Sequence, residues 1–130
     1  MRRSLAYLGF AVVAILLVTA ALSWHPAAAA RKTPGQERVE AAKATFDAVK
    51  AAFGVGTGTL DSVYLWSMRW MTAQQEAGVA RAAALADHLA RMKDLESGVK
   101  AKVRAGTLAR TDQLAARYYC AEAEFWMTRN

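Results

Sequence analysis

Apolar residues recur at steps of three and four along most of the chain, which is the spacing of one face of an α-helix. Thr33, Pro34 and Gln36 have the pattern of a capping box with proline at the first helical position. They predict a helix over residues 34–53, which the glycines after Phe53 end. Its apolar stripe is Val39, Ala42, Phe46, Val49 and Phe53.

A second stripe runs without a proline over residues 60–104, which predicts one helix of 45 residues, about 68 Å long. Gly78 and Gly98 each disfavour helix by about 1 kcal/mol, so a kink is expected at Gly78. Within this helix, the apolar positions of the second half include Leu85, Met92 and Val99. No other break is predicted before Arg104.

Gly106 ends the long helix, and Thr107 or Thr111 is placed to cap a last helix that ends near Arg129. Its stripe at helical spacing is Leu114, Tyr118, Ala121 and Phe125, which is predicted to pack against the long helix. The pattern therefore predicts an all-α fold of antiparallel, coiled-coil-like hairpins in which a short, a long and a short helix form a slender rod.

Two segments that lie 50 residues apart align without a gap, VGTGTLDSVYLW at 55–66 and AGTLARTDQLAA at 105–116. Both contain a glycine suited to a left-handed helix end, a hydroxyl that can cap, and a polar residue in the next first turn. This is the chemistry that a tight helical reversal requires. The turn-motif residues are Gly56, Thr57, Thr59 and Ser62 in the first segment and Gly106, Thr107 and Asp112 in the second.

The pattern V-G-T-x-T-L-x-x-V, followed by a long Ala- and Gln-bearing helix, resembles the periplasmic helical hairpin of TolC-type outer-membrane efflux proteins. The resemblance covers roughly residues 39–123 and does not extend to the family's membrane-embedded part. It implies a hairpin module of the cell envelope that acts in efflux or assembly without chemical catalysis. In that family both turns lie at one tip, whereas the predicted long helix places the two motifs at its opposite ends.

Residues 1–30 have the organisation of a secretory signal peptide. Arg2 and Arg3 precede an uncharged apolar run at residues 5–22, and residues 27–30 are four alanines suited to cleavage. The alternative is an uncleaved anchor, because 18 apolar residues reach the lower limit for crossing a bilayer. Both predict that residues 31–130 form one α-helical domain outside the cytoplasm, either periplasmic or membrane-anchored and facing the periplasm.

Composition supports helix and argues against several classes of protein. Alanine fills 30 of the 130 positions, and one cysteine with two histidines leaves little material for a zinc cage or a disulfide framework. Residues 1–30 hold two of the 17 basic residues and none of the 11 acidic ones, so residues 31–130 carry 15 and 11, a net charge of +4. These charges alternate at helical spacing, as in Asp87 with Arg91, and predict a solvated helix face with no nucleic-acid partner.

The densest aromatic patch, residues 63–71, has more apolar residues than one hairpin needs. Val63, Trp66 and Trp70 belong to the packing stripe. A neighbouring face without an intramolecular partner is predicted at Leu60, Tyr64, Met68 and Met71. Such a face predicts self-association or binding of an envelope protein.

No catalytic, cofactor-binding or metal-binding set is predicted. The carboxylates lack a histidine partner in a pocket, His88 is expected at the boundary of the core, and Cys120 is expected as a small buried side chain. The resulting prediction is a non-catalytic envelope protein that acts by helix packing. The alternative is a small periplasmic sensor or ligand-binding module with candidate metal or redox contacts at Met68, Met71, Met92, His88 and Cys120.

Overall fold

The computed structural model describes residues 31–129, and within this range every regular element is an α-helix. The helices are α1 (Pro34–Gly54), α2 (Leu60–Glu76), α3 (Arg81–Arg104) and α4 (Arg110–Thr128). They belong to one compact unit, Lys32–Asn130. The predicted all-α fold class is confirmed, whereas the signal peptide or anchor predicted for residues 1–30 lies outside the described residues.

The helix α1 begins at the predicted capping box. The Thr33 hydroxyl accepts the backbone N–H of Gln36 at 3.2 Å, and the side-chain oxygen of Gln36 accepts the backbone N–H of Thr33 at 2.9 Å. Two amides that the helix itself cannot satisfy are thereby bonded. With Pro34 as its first residue, α1 extends only one residue beyond the predicted range, to Gly54.

The predicted long helix over residues 60–104, and with it the short-long-short order, is wrong. The chain reverses between α2 and α3 at Gly78, whose φ is +93°. The N–H of Gly78 bonds to Gln75 O at 3.0 Å and that of Val79 to Gln74 O at 2.9 Å, which is a Schellman helix end. This reversal lets α2 and α3 bury their apolar faces against each other, whereas a single long helix would leave much of both in water.

The same helix end occurs at both predicted turn motifs. Gly56 and Gly106 have φ of +82° and +74°. In each turn the amide of the following threonine, Thr57 or Thr107, bonds to the carbonyl five residues earlier at 2.9 Å. The predicted reversals therefore exist, and the described residues 31–129 contain a third one at Gly78.

Neighbouring helices run antiparallel, and alternate helices run parallel. Between α2 and α4, the Tyr119 hydroxyl donates to Asp61 at 2.5 Å and the Tyr64 hydroxyl donates to Glu122. The partner of the later residue in α2 is also the later residue in α4, so these two helices point the same way. The chain is thus an up-down-up-down arrangement of two successive hairpins.

Both glycine turns lie at the same end of the bundle. Lys102, near the end of α3, donates from Nζ to the carbonyl of Gly54 at 2.7 Å and to that of Phe53 at 3.4 Å. The prediction that the two motifs lie at opposite ends of one helix is therefore wrong. The unpredicted reversal at Gly78 is the cause, because it brings the end of α3 back to the end of α1.

The predicted stripes of α1 and α3 both contribute to the core. Phe46 and Phe53 of α1 are buried in one apolar cluster with residues of the other three helices. The aromatic rings of Phe46 and Trp70 join α1 to α2 with centroids 5.6 Å apart. The buried residues of α3 are Ala84, Leu85, His88, Met92, Leu95 and Val99.

The predicted packing face of α4 is wrong. Leu114, Tyr118 and Phe125 are 57%, 61% and 54% exposed, and the side that α4 buries consists of Ala116, Cys120 and Ala123. Small side chains let α4 approach α3 closely, which fixes this orientation more strongly than hydrophobic periodicity does. The outward row Leu114, Tyr118, Ala121 and Phe125 is called the α4 stripe below.

Replacing Gly78 by alanine tests the reversal. We expect Gly78→Ala to lower the free energy of unfolding by about 1–2 kcal/mol, because alanine is strained at positive φ. The matched control is Gly98→Ala inside α3, where an added Cβ meets nothing within 4 Å. We expect that change to raise the free energy of unfolding by about 0.5–1 kcal/mol. Urea unfolding of residues 31–130 measures both, and stabilisation by both would show that Gly78 lies in continuous helix.

Candidate functional site

The two turn motifs use complementary halves of one capping pattern. In the first, the Thr59 hydroxyl accepts the N–H of Ser62 at 3.2 Å. In the second, Ala109 stands in place of the threonine, and Asp112 accepts the N–H of Ala109 at 3.1 Å. Thr107, predicted as a possible cap of α4, instead donates to a carbonyl of the last turn of α3 at 3.0 Å. The polar residues of both motifs therefore bond to the backbone of their own turn.

A cleft of about 400 Å³ lies between the two turns. Val55 and Leu108 form part of its apolar lining, and Lys102 is its cation. Because Lys102 already bonds to carbonyls at the end of α1, the charge is used to join the two turns. The cleft has the chemistry of a structural junction and no paired acid and base.

Three of the four residues predicted as an uncovered face have partners inside the molecule. Leu60 and Met71 are buried, at 6% and 8% exposure, and Tyr64 stacks on Tyr119 with ring centroids 4.0 Å apart. The prediction that they lack an intramolecular partner is wrong, because the reversal at Gly78 brings the second hairpin onto this face of α2. Met68 is different, since it is half-buried and lines an open groove between α1 and α2.

The most unusual chemistry is a buried polar cluster of Ser67, His88 and Arg91, called the polar cluster below. Ser67 Oγ lies 2.8 Å from His88 Nδ1 and accepts from Arg91 Nε at 2.7 Å. Arg91 also donates to the backbone carbonyl of Ser67 at 3.3 Å. Ser67 comes from α2 and the other two from α3, so the cluster joins these helices in one register.

Aromatic rings enclose the polar cluster. The Arg91 guanidinium lies 4.2 Å from the ring centroid of Trp70, and the His88 ring stacks with that of Trp126 at 5.7 Å. The attraction between a cation and an aromatic ring is stronger when the cation has lost much of its hydration shell. The boundary position predicted for His88 is wrong, because His88 and Ser67 are both 0% exposed.

Burial and charge keep His88 neutral. Desolvation, with a smaller contribution from the Arg91 cation, lowers the pKa of His88 from 6.5 to about 4. Nδ1 of the neutral ring shares a hydrogen bond with the serine hydroxyl, and Nε2 has no hydrogen-bond partner among residues 31–129. Burial likewise lowers the pKa of Arg91 to about 10, against the opposing effect of Asp87.

A serine beside a histidine is also the start of a nucleophile and base pair. Here both side chains are closed off from solvent, and Arg91 occupies the acceptor side of the serine oxygen. A substrate carbonyl therefore has no path to Ser67 in this conformation. The arrangement can fix the α2–α3 pairing, together with Gln74, which donates to Asp87 at 3.0 Å.

The residues of the alternative metal-binding hypothesis are mostly core residues. Met71, Met92, His88 and Cys120 are buried. Cys120 is 5% exposed, so the prediction of a buried, small side chain is confirmed. Burial, with Glu96 nearby, raises the pKa of its thiol to about 11. Within residues 31–129, no group of three or more His, Cys, Asp or Glu side chains is placed to hold a metal ion.

The sequence pattern does not point to Ser67, and for Arg91 it predicts only a surface ion pair with Asp87. The available signal was the spacing of Ser67 and Trp70 on one helix and His88 and Arg91 on another, each at one turn. That signal becomes meaningful only when the two helices are known to face each other. The polar cluster can therefore be recognised only once the reversal at Gly78 is known.

Comparison of the chain with protein-family models, with curated proteins and with solved structures finds no significant match. In the described part of the chain, none of the four helices has the length and apolar character to span a bilayer.

The pKa of His88 predicts how stability depends on pH. Because its pKa is lower in the folded state, the unfolded chain binds more protons between pH 6.5 and 4, and the free energy of unfolding falls as pH falls through this range. The full shift corresponds to about 3 kcal/mol. Urea unfolding of residues 31–130 at pH 7 and pH 4.5 measures the loss. We expect His88→Gln to be less stable at pH 7 and to lose less on acidification, and equal losses in both proteins would contradict the assignment.

Removal of the serine hydroxyl tests the polar cluster. We expect Ser67→Ala to cost about 1–3 kcal/mol, because His88 and Arg91 then lose a buried partner. Ser97→Ala, at an exposed position of α3, is the matched control and is expected to change stability by less than about 0.5 kcal/mol. Thermal unfolding of the two variants gives the comparison, and equal stability of both would remove the structural role of Ser67.

Proposed function

We propose that this chain is a non-catalytic helical protein of the cell envelope that acts by packing against other protein, as the hairpin of a TolC-type efflux protein does. The sequence resemblance supports the family part of this proposal. Further support comes from the position of the two glycine turns at one end of the bundle, which is their arrangement in that family. A continuous helix over residues 60–104 would instead have placed the two turns at opposite ends, unlike the hairpin of that family.

The observation that carries the proposal is the α4 stripe. Leu114, Tyr118 and Phe125 are each more than half exposed and follow one line along α4. The stripe extends over about 16 Å at 1.5 Å per residue. A contiguous row of large apolar side chains is uncommon on the free surface of a monomer and is typical of a protein contact.

The remaining chemistry fits a packing role better than a reaction. Ser67 and His88 are enclosed in the core and serve the helix pairing. The cleft between the turns has its cation bonded to backbone carbonyls. Export is supported by the signal-like pattern of residues 1–30, which would place the bundle in the periplasm.

A reporter fusion tests the location. Alkaline phosphatase joined to the end of the full chain is active only outside the cytoplasm, so we expect high activity from the fusion. Deletion of residues 5–22 is the control and should abolish it, because the apolar run is then missing. Equal, low activity with and without that segment would contradict export.

A native gel tests the packing role. We expect the full chain, extracted from the envelope fraction with mild detergent, to migrate as an assembly, and Tyr118→Ser with Phe125→Ser to release the monomer. Val79→Ser is the control, because Val79 is an exposed apolar residue away from α4. Migration of the unaltered chain as a monomer would contradict the proposal.

A further inference from the structure

The two hairpins repeat one structural unit with a spacing of 50 residues. Gly56 and Gly106 occupy the same position in their turns. The positions of α2 that pack on α1 correspond to those of α4 that pack on α3. Trp70, which contacts Phe46, thus corresponds to Cys120.

The side of α2 that faces away from α1 packs against the second hairpin. Tyr64 stacks on Tyr119, Ser67 bonds to His88 at 2.8 Å, and Met71 packs in the core with residues of α3. The second hairpin therefore covers this face of α2. Fifty residues later, on α4, the corresponding residues are Leu114, Arg117 and Ala121, and all three are exposed.

In the first hairpin, the free face is the one that corresponds to the covered face of the second hairpin. A groove of about 450 Å³ lies between α1 and α2. The residues of the second hairpin that receive α2 are His88, Arg91, Tyr119 and Glu122. Those that lie 50 positions before them, and line this groove, are Arg38, Ala41, Arg69 and Thr72.

We infer that this exposed face of α4, which shares Leu114 and Ala121 with the α4 stripe, packs into the α1–α2 groove of a second copy of this chain. The hairpin repeat then continues from chain to chain in the way that the second hairpin follows the first. This inference rests on the proposed function and names its partner. The contact is head to tail, so it closes into a ring or extends as a filament according to the rotation between copies.

Both faces carry apolar side chains that the chain itself leaves partly or fully exposed. Leu65, which is 44% exposed, and the half-buried Met68 give the groove an apolar wall for the stripe. Arg38 at the edge of the groove is ion-paired with Glu76, and Glu124 on α4 is ion-paired with Lys93, so the edges of both faces are polar with balanced charge. An apolar centre with a polar edge is the usual composition of a protein interface.

Cysteine pairs test the register in the full chain. The stacked pair Tyr64 and Tyr119 maps onto Leu114 of one copy and Arg69 of the next. In a Cys120→Ala background, a chain that carries both Leu114→Cys and Arg69→Cys is expressed in cells, treated with a thiol oxidant and analysed on a non-reducing gel. We expect a ladder of dimer, trimer and larger species, because each copy has both halves of the contact.

The single-cysteine chains and a misplaced pair are the controls. Leu114→Cys alone, Arg69→Cys alone, and Leu114→Cys combined with Ser97→Cys should each remain monomeric. A dimer from Leu114→Cys alone would overturn the inference in favour of two α4 stripes that face each other. An assembly on the native gel without a crosslink ladder would also overturn it, while leaving the proposed packing role intact.

A mixing experiment separates head-to-tail contact from a symmetric one. Phe125→Glu damages the stripe and Leu65→Glu damages the groove, and each alone is expected to lower the crosslinked fraction about tenfold or more. A cell that expresses both damaged chains still has one intact stripe and one intact groove, so dimers should return without larger species. Failure of the mixture to restore the dimer would overturn the head-to-tail contact.

Discussion

The fold depends on backbone geometry at three helix ends. Gly56, Gly78 and Gly106 each have positive φ, which allows the next amide to bond back into the helix and the chain to reverse. The helices between them have 17 to 24 residues, and helices of this size gain most of their stability from tertiary packing. Reversal and packing therefore require each other.

Within this frame, the polar cluster determines how α2 and α3 fit together. An apolar interface alone would tolerate a shift along the helices, whereas the bonds among Ser67, His88 and Arg91 are satisfied in one register only. The aromatic rings around Arg91 reduce its contact with water and add cation–π attraction. The serine–histidine contact joins α2 to α3, and the exposed apolar side chains lie on α4 and along the α1–α2 groove.

Local signals in the sequence were sufficient for part of this structure. The capping box at Thr33 and the turns at Gly56 and Gly106 depend on residues close in sequence, so they could be predicted. Gly78 is followed by Val79 and Ala80 and lacks the hydroxyl that marks the other turns, so the sequence predicts only a kink there. The inward face of α4 was missed because hydrophobic spacing cannot show that small residues pack more closely than large ones, and the polar cluster could not be found before α2 and α3 were known to meet.

Cys120 is the one cysteine of the chain, and it lies on the buried side of α4, where burial keeps its thiol protonated. A maleimide reacts with a thiolate that it can reach, so modification of Cys120 requires α4 to separate from α3. The rate of alkylation therefore reports the opening of the second hairpin without any introduced label. In an assembly that covers α4, that rate would also measure how much the neighbouring copy restrains this motion.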